Sequence, residues 1–517
     1  MKLRKILDNK IIIIFLMPFI LGSLCVLSFQ PFNFNFINFF TLPFLFLILT
    51  YVSKRSKNIY RKKPHLSNLF FIGYLFGIGF FLFGNYWISY SLTFDESFKF
   101  LIPFSLILIP LFLGLFFGLS TLVVGSFLKN NFSSMLLFCS SLAIADFLRS
   151  KILTGFPWNL WAYSWSWFPE VIQLLQPVGL FAFNLLTLTI YCSVLLFFFK
   201  NKQKNLVILS ILIILFFSNY IYGSIKINKD KVINTDQINI KIVSPSFDLK
   251  YNLSNEQIED SIKKLIKYSE PDSKKETVFV WPEGVFVGYQ FEQLLSYKFL
   301  FQEKFTENQI IVFGVNMKEE VTGEHFNSII AVNKNLDIIY QYNKRKLVPF
   351  GEFLPLEFLL TKLGLKKITQ GYGAFSKGIE QKNLNINQFN ILPLICYEII
   401  FTELIQKSDF ETNLIINISE DAWFGGSIGP QQHFAKAIFR AIESNTYLVR
   451  AANKGISAFI DNNGKILKKL EPHEAGSIEL NIPLINNSSR NRNDLIFFLL
   501  LFTYTLIFFT IKKKYND

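Results

Sequence analysis

Only four cysteines occur in 517 residues, and three of them, Cys25, Cys139 and Cys192, lie in apolar runs of membrane length. A thiol in such a run packs as a small hydrophobe. The fourth, Cys396, is the one cysteine of the charged stretch 225–494, so that stretch cannot form an internal disulfide and does without that staple. No residues show metal-ligand spacing, and no Gly-rich loop is built to cradle phosphates, so neither a metal nor a nucleotide cofactor is expected. Internal repeats and low-complexity segments are missing as well, apart from phenylalanine enrichment in the apolar runs. Ionisable residues are scarce in those runs, Asp146 being the clearest. Intramembrane charge usually marks an ion pathway, so this scarcity argues against a transporter with an exported accessory domain.

What is abundant is apolar surface: 51% of the chain is hydrophobic, with 61 phenylalanines, and it is unevenly placed. The pattern predicts a membrane domain of seven helices over 1–224, a globular domain over 225–494, and a C-terminal membrane helix with a tail over 495–517. Against the roughly 20 residues needed to cross a bilayer, spans read near 11–29, 35–53, 68–88, 100–127, 133–149, 172–199, 205–224 and 495–511. Lys2, Arg4 and Lys5 precede the first, as in a signal peptide, but no small-residue cleavage site follows, so a retained helix is expected. Alternate loops carry the basic residues, among them Lys54, Arg55, Lys57, Arg61, Lys62, Lys63, Lys129, Lys200, Lys202, Lys204 and Lys512–Lys514. The opposite short loops carry only Lys99, Arg149 and Lys151. Basic loops stay in the cytoplasm, which places the globular domain outside it. Much of the net charge of +14 sits in those loops, where it orients the protein and meets anionic lipid, so nucleic acid is not an expected partner.

Within 225–494, strand-like runs cover Ile238–Val243, Thr277–Val280, Ile310–Val315, Ser328–Val332, Ile338–Tyr342, Ile391–Ile395, Leu414–Ile418, Tyr447–Val449, Ser457–Ile460 and Ser477–Leu480. Glu256–Tyr268 and Pro430–Glu443 have helical spacing, and Asp461-Asn462-Asn463-Gly464 is a hairpin signal. Strands alternating with helices imply a layered α/β domain. In the membrane part, Leu153–Trp167 holds four tryptophans. They fit either an aromatic belt at the membrane interface or a re-entrant lid that guides lipid chains.

Cys396 closes an apolar strand run and is followed by a helix-like segment, the carboxyl-edge position where open α/β sheets place their sites. Glu283 and Lys344 stand at comparable turns, in Val280-Trp281-Pro282-Glu283-Gly284 and Tyr342-Asn343-Lys344. A thiol needs deprotonating to attack a carbonyl, a carboxylate can take that proton, and an ammonium can stabilise the oxyanion that results. Each residue also has a plainer reading: a lone strand-end cysteine is more often core, Glu283 after Pro282 can cap a turn, and Lys344-Arg345-Lys346 can be a solvated face.

The surrounding words go further. Trp-Pro-Glu at 281–283, Tyr-Asn-Lys-Arg-Lys-Leu-Val-Pro-Phe-Gly-Glu at 342–352 and Ile-Cys-Tyr-Glu at 395–398, in that order, resemble the nitrilase superfamily with its Glu-Lys-Cys triad. Leu-Val-Pro-Phe-Gly-Glu at 347–352, Asp-Ala-Trp-Phe-Gly at 421–425 and Gly-Pro-Gln-Gln-His at 429–433 narrow the resemblance to its membrane-embedded branch, the apolipoprotein N-acyltransferase family. The resemblance covers essentially the whole chain. It implies a nitrilase-like αββα sandwich inserted between transmembrane helices seven and eight of an eight-helix membrane domain, in the bacterial inner membrane with the catalytic domain on the periplasmic side.

Residue by residue, the resemblance makes Cys396 the acylated nucleophile, Glu283 the base and Lys344 the oxyanion partner. Glu352, Tyr397 and Glu398 match supporting residues, while Trp158, Trp423, Phe424 and Tyr251 match candidates for substrate binding. The implied partners are a phospholipid acyl donor and a diacylated apolipoprotein acceptor, with the enzyme acting as a monomer. A membrane-tethered amidohydrolase, passing the acyl group to water, is the alternative use of the same triad. The chain departs from the family pattern at Glu420, where Asn is common, at Tyr251, where tryptophan is usual, and at Ser244, where glutamine is frequent.

Overall fold

The computed structural model describes residues 9–59, 64–229, 236–250, 253–355, 357–360, 362, 374–380, 382–407, 412–485 and 494–514. The chain divides into two compact units, one of Met1–Lys229 with Asn491–Asp517, the other of Asp230–Arg490.

In the first unit, seven helices among the described residues are long and apolar enough to cross a membrane: Ile11–Ser28, Asn35–Lys54, Leu66–Thr93, Glu96–Gly125, Phe132–Lys151, Leu180–Phe197 and Lys202–Asn228. The eighth expected span is a shorter apolar helix, Leu495–Ile511, whose Tyr504 hydroxyl lies 3.1 Å from Thr189 Oγ1. One expected span needs correction. Residues 172–199 do not form a continuous helix, because Gly179 adopts φ +80° and separates the short helices Pro169–Ile172 and Leu175–Val178 from Leu180–Phe197. The helix Lys202–Asn228 also runs past the expected boundary at 224.

The tryptophan-rich segment is corrected too. Trp158, Trp161 and Trp165 are buried, and only Trp167 is exposed, at 49%. Trp161 stacks on Phe80 at 4.9 Å, and Trp158 meets Trp87 at 4.4 Å. Three of the four therefore line the interior of the bundle rather than a membrane interface. Irregular backbone at this depth must find its hydrogen bonds within the protein, and the scarce charge supplies them. Asp146 and Arg149, both buried, pair at 2.8 Å, and Arg149 donates to the Phe156 carbonyl. Asn184 donates to Asp146 at 2.9 Å and accepts from the Ala162 N–H at 3.0 Å.

The second unit contains the strands β1 (Gln237–Ser244), β2 (Val278–Val280), β3 (Ile310–Lys318), β4 (His325–Val332), β5 (Ile338–Asn343), β6 (Leu384–Ile386), β7 (Phe389–Ile395), β8 (Leu414–Glu420), β9 (Tyr447–Asn453), β10 (Ser457–Ile460), β11 (Ile466–Leu470) and β12 (Gly476–Pro483). They form two six-stranded sheets, in the orders β12-β1-β2-β3-β4-β5 and β11-β10-β9-β8-β7-β6. Strands β1-β2-β3 and β7-β8-β9 are parallel. Parallel strands are covered on both faces, and β8 is buried along its whole length, its polar Asn417, Ser419 and Glu420 included. The expected hairpin joins β10 to β11, with Gly464 at φ +82° and its N–H donating to the Asp461 carbonyl at 2.9 Å.

Alternation along the strands sorts side chains into layers. Ile238, Ile240, Ile242, Val280 and Val312 of the first sheet meet Ile391, Ile395, Ile416, Ile418 and Val449 of the second in one core. On the outer face of the first sheet, Val243, Phe279, Ile311 and Phe313 pack with Ile258, Ile262 and Leu265 of the helix Asn255–Ser269. That helix begins with a capping box at Ser254 and Gln257, which satisfies backbone donors its first turn leaves open. The buried helix Gly429–Ser444 follows β8 and leads into β9. The sheets approach closely at Gly314 on β3, where an added Cβ would meet Ile418 Cδ1 at 2.9 Å and Glu283 Cα at 3.0 Å.

Ile416 tests this core, since it is 1% exposed at the centre of β8. Ile416→Ala is expected to cost about 2–5 kcal/mol, read as a lower Tm of the full-length protein in detergent. An unchanged midpoint would show that the inter-sheet layer does not limit stability.

Candidate active site

Three strand ends carry the residues expected to act. β2 runs into Trp281-Pro282-Glu283, β5 into Lys344 and β7 into Cys396. Trp281 is fully buried and donates its indole N–H to Ser269 Oγ at 2.9 Å, which anchors the turn that presents Glu283. Gly284, at φ +75°, cannot carry a side chain because Glu420 Oε2 would stand 2.3 Å from its Cβ.

Lys344 is 1% exposed. Its Nζ donates to Glu352 Oε1 at 2.8 Å and to Glu283 Oε1 at 3.4 Å. Burial works against the ammonium, but the charges of Glu283, Glu352 and Cys396 outweigh it and hold the Lys344 pKa above the ordinary lysine range. Asn327, on β4, completes the group by donating to Glu283 Oε1 and Glu352 Oε1, each at 2.7 Å. Glu283 Oε2 accepts the Glu420 N–H at 3.1 Å, and Glu352 Oε2 accepts the Val348 N–H at 2.8 Å. The backbone is tied down as well. Gly378 donates to the Lys344 carbonyl at 2.8 Å and Phe375 to the Glu352 carbonyl at 2.9 Å. Only glycine fits at 378, since a Cβ would lie 2.1 Å from the Asn343 carbonyl oxygen.

Cys396 is partly exposed and has φ +47°, a left-handed conformation that costs a non-glycine residue about 1–3 kcal/mol. Burial and the Glu283 charge push its thiol pKa up, against the pull of Lys344 and a hydrogen bond with Ser419. The resting thiol is therefore protonated and needs a base to react. Glu398, fully buried, braces the turn from inside. Its Oε2 accepts the Ile395 N–H at 2.9 Å, and its Oε1 accepts from Arg345 N–H at 2.7 Å, Lys346 N–H at 3.1 Å and Tyr342 hydroxyl at 2.9 Å. Burial raises the Glu398 pKa while those donors and the Lys344 charge hold it down.

Other expected site residues fall in different places. Tyr397 is buried with its ring edge against Phe401 at 5.1 Å, and Phe424 packs against the His433 ring at 5.3 Å. Trp423 is partly exposed on the turn after β8. Trp158 belongs to the helical unit, and Tyr251 lies outside the described residues. Glu420 accepts both contacts from Asn453 Nδ2, at 3.0 and 2.9 Å, and Ser244 Oγ donates to the Glu474 carbonyl at 3.1 Å. Sequence reasoning missed Asn327, although an asparagine inside the otherwise apolar β4 is a signal for a buried polar partner. It also missed the pairing of Asp421 with Arg450, 2.9 Å apart and both buried.

A helix-covered sandwich of two sheets, with an acid, an ammonium and a thiol at its strand ends, defines a carbon-nitrogen hydrolase domain. The Carbon-nitrogen hydrolase family indeed matches residues 237–486, and the family described as Apolipoprotein N-acyltransferase N-terminal domain matches residues 21–193. Proteins named apolipoprotein N-acyltransferase are similar over nearly full length. That of Rickettsia prowazekii is 32% identical over 473 residues, covering 90% of this chain and 91% of its own. That of Rickettsia typhi is 32% identical over 476 residues, covering 90% and 91%. That of Rhizobium etli is 29% identical over 480 residues, covering 89% and 88%. The chain belongs to the apolipoprotein N-acyltransferase family, and is an acyltransferase with several membrane-spanning helices.

Acid should loosen this site in two stages. Burial and the Arg450 charge lower the His433 pKa to about 4. The unfolded chain takes up that proton from about pH 6.5 downward, so stability is lost as pH falls from there towards 4. Burial would raise the Asp421 pKa, but Arg450 and His433 hold it well below the carboxylate range, so its contribution is lost at still lower pH. Thermal melts of the wild type should fall steadily below about pH 6.5, and His433→Gln should remove the first stage. A flat profile between pH 7 and 4 would contradict these directions.

Proposed function

We propose that this enzyme moves an acyl chain from a glycerophospholipid to the free α-amino group of the N-terminal diacylglyceryl-cysteine of a lipoprotein, with Cys396 carrying the acyl group as a thioester. The observation that supports it most is the Glu283–Lys344–Glu352 ion cluster at strand ends neighbouring that of Cys396, in a chain whose other unit is made of membrane-length helices.

In the first half-reaction the Cys396 sulfur attacks the ester carbonyl while Glu283 takes the thiol proton. The tetrahedral oxyanion is stabilised by the Lys344 ammonium. Collapse breaks the ester C–O bond, and the leaving alkoxide takes the proton from Glu283 to depart as a lysophospholipid. In the second half the α-amine attacks the thioester carbonyl, Glu283 accepts the amine proton, and the C–S bond breaks as Glu283 returns that proton to the departing Cys396 sulfur. Glu352 and Asn327 keep Lys344 and Glu283 in place throughout. Trp423, Phe424, Tyr251 and Trp158 are assigned to substrate binding. No group beyond the protein's own side chains is needed for either half.

The asymmetry of lysine and arginine between alternate loops supports a catalytic domain outside the cytoplasm, between helices seven and eight; the reading takes the membrane as the bacterial inner membrane, that side as the periplasm, and the enzyme as a monomer. The same reading takes 1–224, 225–494 and 495–517 as its three segments.

Covalent transfer predicts ping-pong kinetics and an isolable acyl-enzyme. Intact-mass measurement after incubation with phospholipid should show an added acyl chain on the wild type and none on Cys396→Ala. Glu283→Gln and Lys344→Ala should each slow its formation by about 10²-fold or more. An adduct that survives Cys396→Ala sinks the thioester, and release of free fatty acid without N-acylated lipopeptide would instead mark a hydrolase. For the topology, a reporter fused after residue 300 should be active only outside the cytoplasm. Activity inside would reverse the orientation.

A further inference from the structure

The Cys396 peptide group is held by a buried histidine that the reaction above does not use. His433 is 1% exposed, in the first turns of the helix Gly429–Ser444. Its Nε2 lies 3.3 Å from the Cys396 carbonyl oxygen, and its Nδ1 lies 3.0 Å from an Arg450 guanidinium nitrogen and 3.1 Å from Asp421 Oδ1. A carbonyl oxygen can only accept and a guanidinium can only donate. The carbonyl therefore requires a proton on Nε2, which donates to Cys396. At Nδ1 the Arg450 guanidinium offers a donor and the Asp421 carboxylate an acceptor; burial and the Arg450 charge depress the His433 pKa, which favours the neutral ring with Nδ1 accepting from Arg450.

Every member of this chain is locked in turn. Arg450 donates to both Asp421 oxygens, at 3.1 and 2.9 Å, and to Asn417 Oδ1. Ser419 Oγ donates to Asp421 Oδ1 at 2.6 Å, and the Phe424 ring packs against the imidazole. Gly455 and Gly429 leave the room needed, since a Cβ at 455 would lie 2.1 Å from Asp421 Oδ2 and one at 429 would lie 2.6 Å from the Phe424 ring. Cys396 holds a left-handed φ of +47° that its own side chain disfavours, so its conformation must be imposed from outside. Glu398 holds the backbone one residue earlier through the Ile395 N–H at 2.9 Å, and His433 grips the peptide that follows Cys396.

We propose that His433, held in place by Arg450 and Asp421, is a positioning residue that keeps the Cys396 carbonyl turned away from the substrate and so aims the nucleophile. The motifs 421–425 and 429–433 then have one shared purpose, to build this support. The proposal rests on the reading of Cys396 as the acyl-carrying nucleophile.

The test uses the full-length protein in detergent, with mixed micelles of dioleoylphosphatidylethanolamine as acyl donor. His433→Ala should lower the rate constant of thioester formation by about 10²-fold with KM for the donor unchanged, as expected when a reacting group is misplaced by about an ångström. His433→Gln can still donate to the carbonyl and should recover to within about tenfold of wild type. Alkylation of Cys396 by iodoacetamide, which needs no fixed approach geometry, should change less than threefold in both variants. If His433→Ala fails to fold, the comparison of His433→Gln with His433→Leu decides in its place. Equal rates for alanine and wild type, equal loss in alanine and glutamine, or an effect on KM alone would each overturn the positioning role. Failure of the wild type to form any thioester would overturn the reading beneath it instead.

Discussion

One buried ammonium balanced by two carboxylates is the constraint around which the catalytic unit is arranged. Lys344 sits where water cannot solvate it, so it has to be neutralised and hydrogen-bonded by the protein. Glu352 and Glu283 neutralise it, Asn327 donates to the same two carboxylate oxygens that face it, and the backbone N–H groups of Val348 and Glu420 donate to the other two. Removing one partner of such a buried pair leaves an uncompensated charge and costs about 3–5 kcal/mol. The same residues that give the site its chemistry are thus also fixed by electrostatics, and little freedom is left in where Glu283 can point.

Glu398 extends that fixity to the nucleophile. A single carboxylate gathers N–H groups from the Lys344 loop and from the strand that ends at Cys396. This joins two segments far apart in sequence through one buried side chain, and it gives a physical reason for an acidic residue two positions after the thiol. The carboxylate is spent on the protein's own backbone; it sets the spacing between Lys344 and Cys396.

Much of this was legible in the sequence, for reasons that differ from element to element. The parallel strands read clearly because burial leaves each a mainly apolar stretch, as in Val278–Val280 of β2, or an alternation, as in β1, where isoleucines flank Asn239 and Lys241. β6 and β11 did not: they are sheet edges, β6 is three residues long, and β11 exposes two lysines. Glu283, Lys344 and Cys396 stood out because a charged or reactive residue directly follows an apolar strand. Asn327 lies within a strand and Arg450 and Asp421 come together only through the sheet register, so no linear pattern reveals them. The buried tryptophans of 158–165 misled for a similar reason. Composition shows that aromatics are present, but not that Asp146, Arg149 and Asn184 draw their loop into the bundle.

The division of the site between two sheets has a mechanical consequence. Glu283 and Lys344 ride on one layer and Cys396 on the other, and the layers meet through interdigitated side chains, with Gly314 allowing a close approach. At the site itself the layers are pinned as well: Glu398, just after β7, holds the Arg345 and Lys346 N–H groups that follow β5, and Glu283, just after β2, holds the Glu420 N–H of β8. Charge-assisted hydrogen bonds of this kind resist a slide that dispersion contacts alone would permit. The two plates are thus riveted where their alignment matters most, and loss of either carboxylate would let them slip while every strand ladder stays intact.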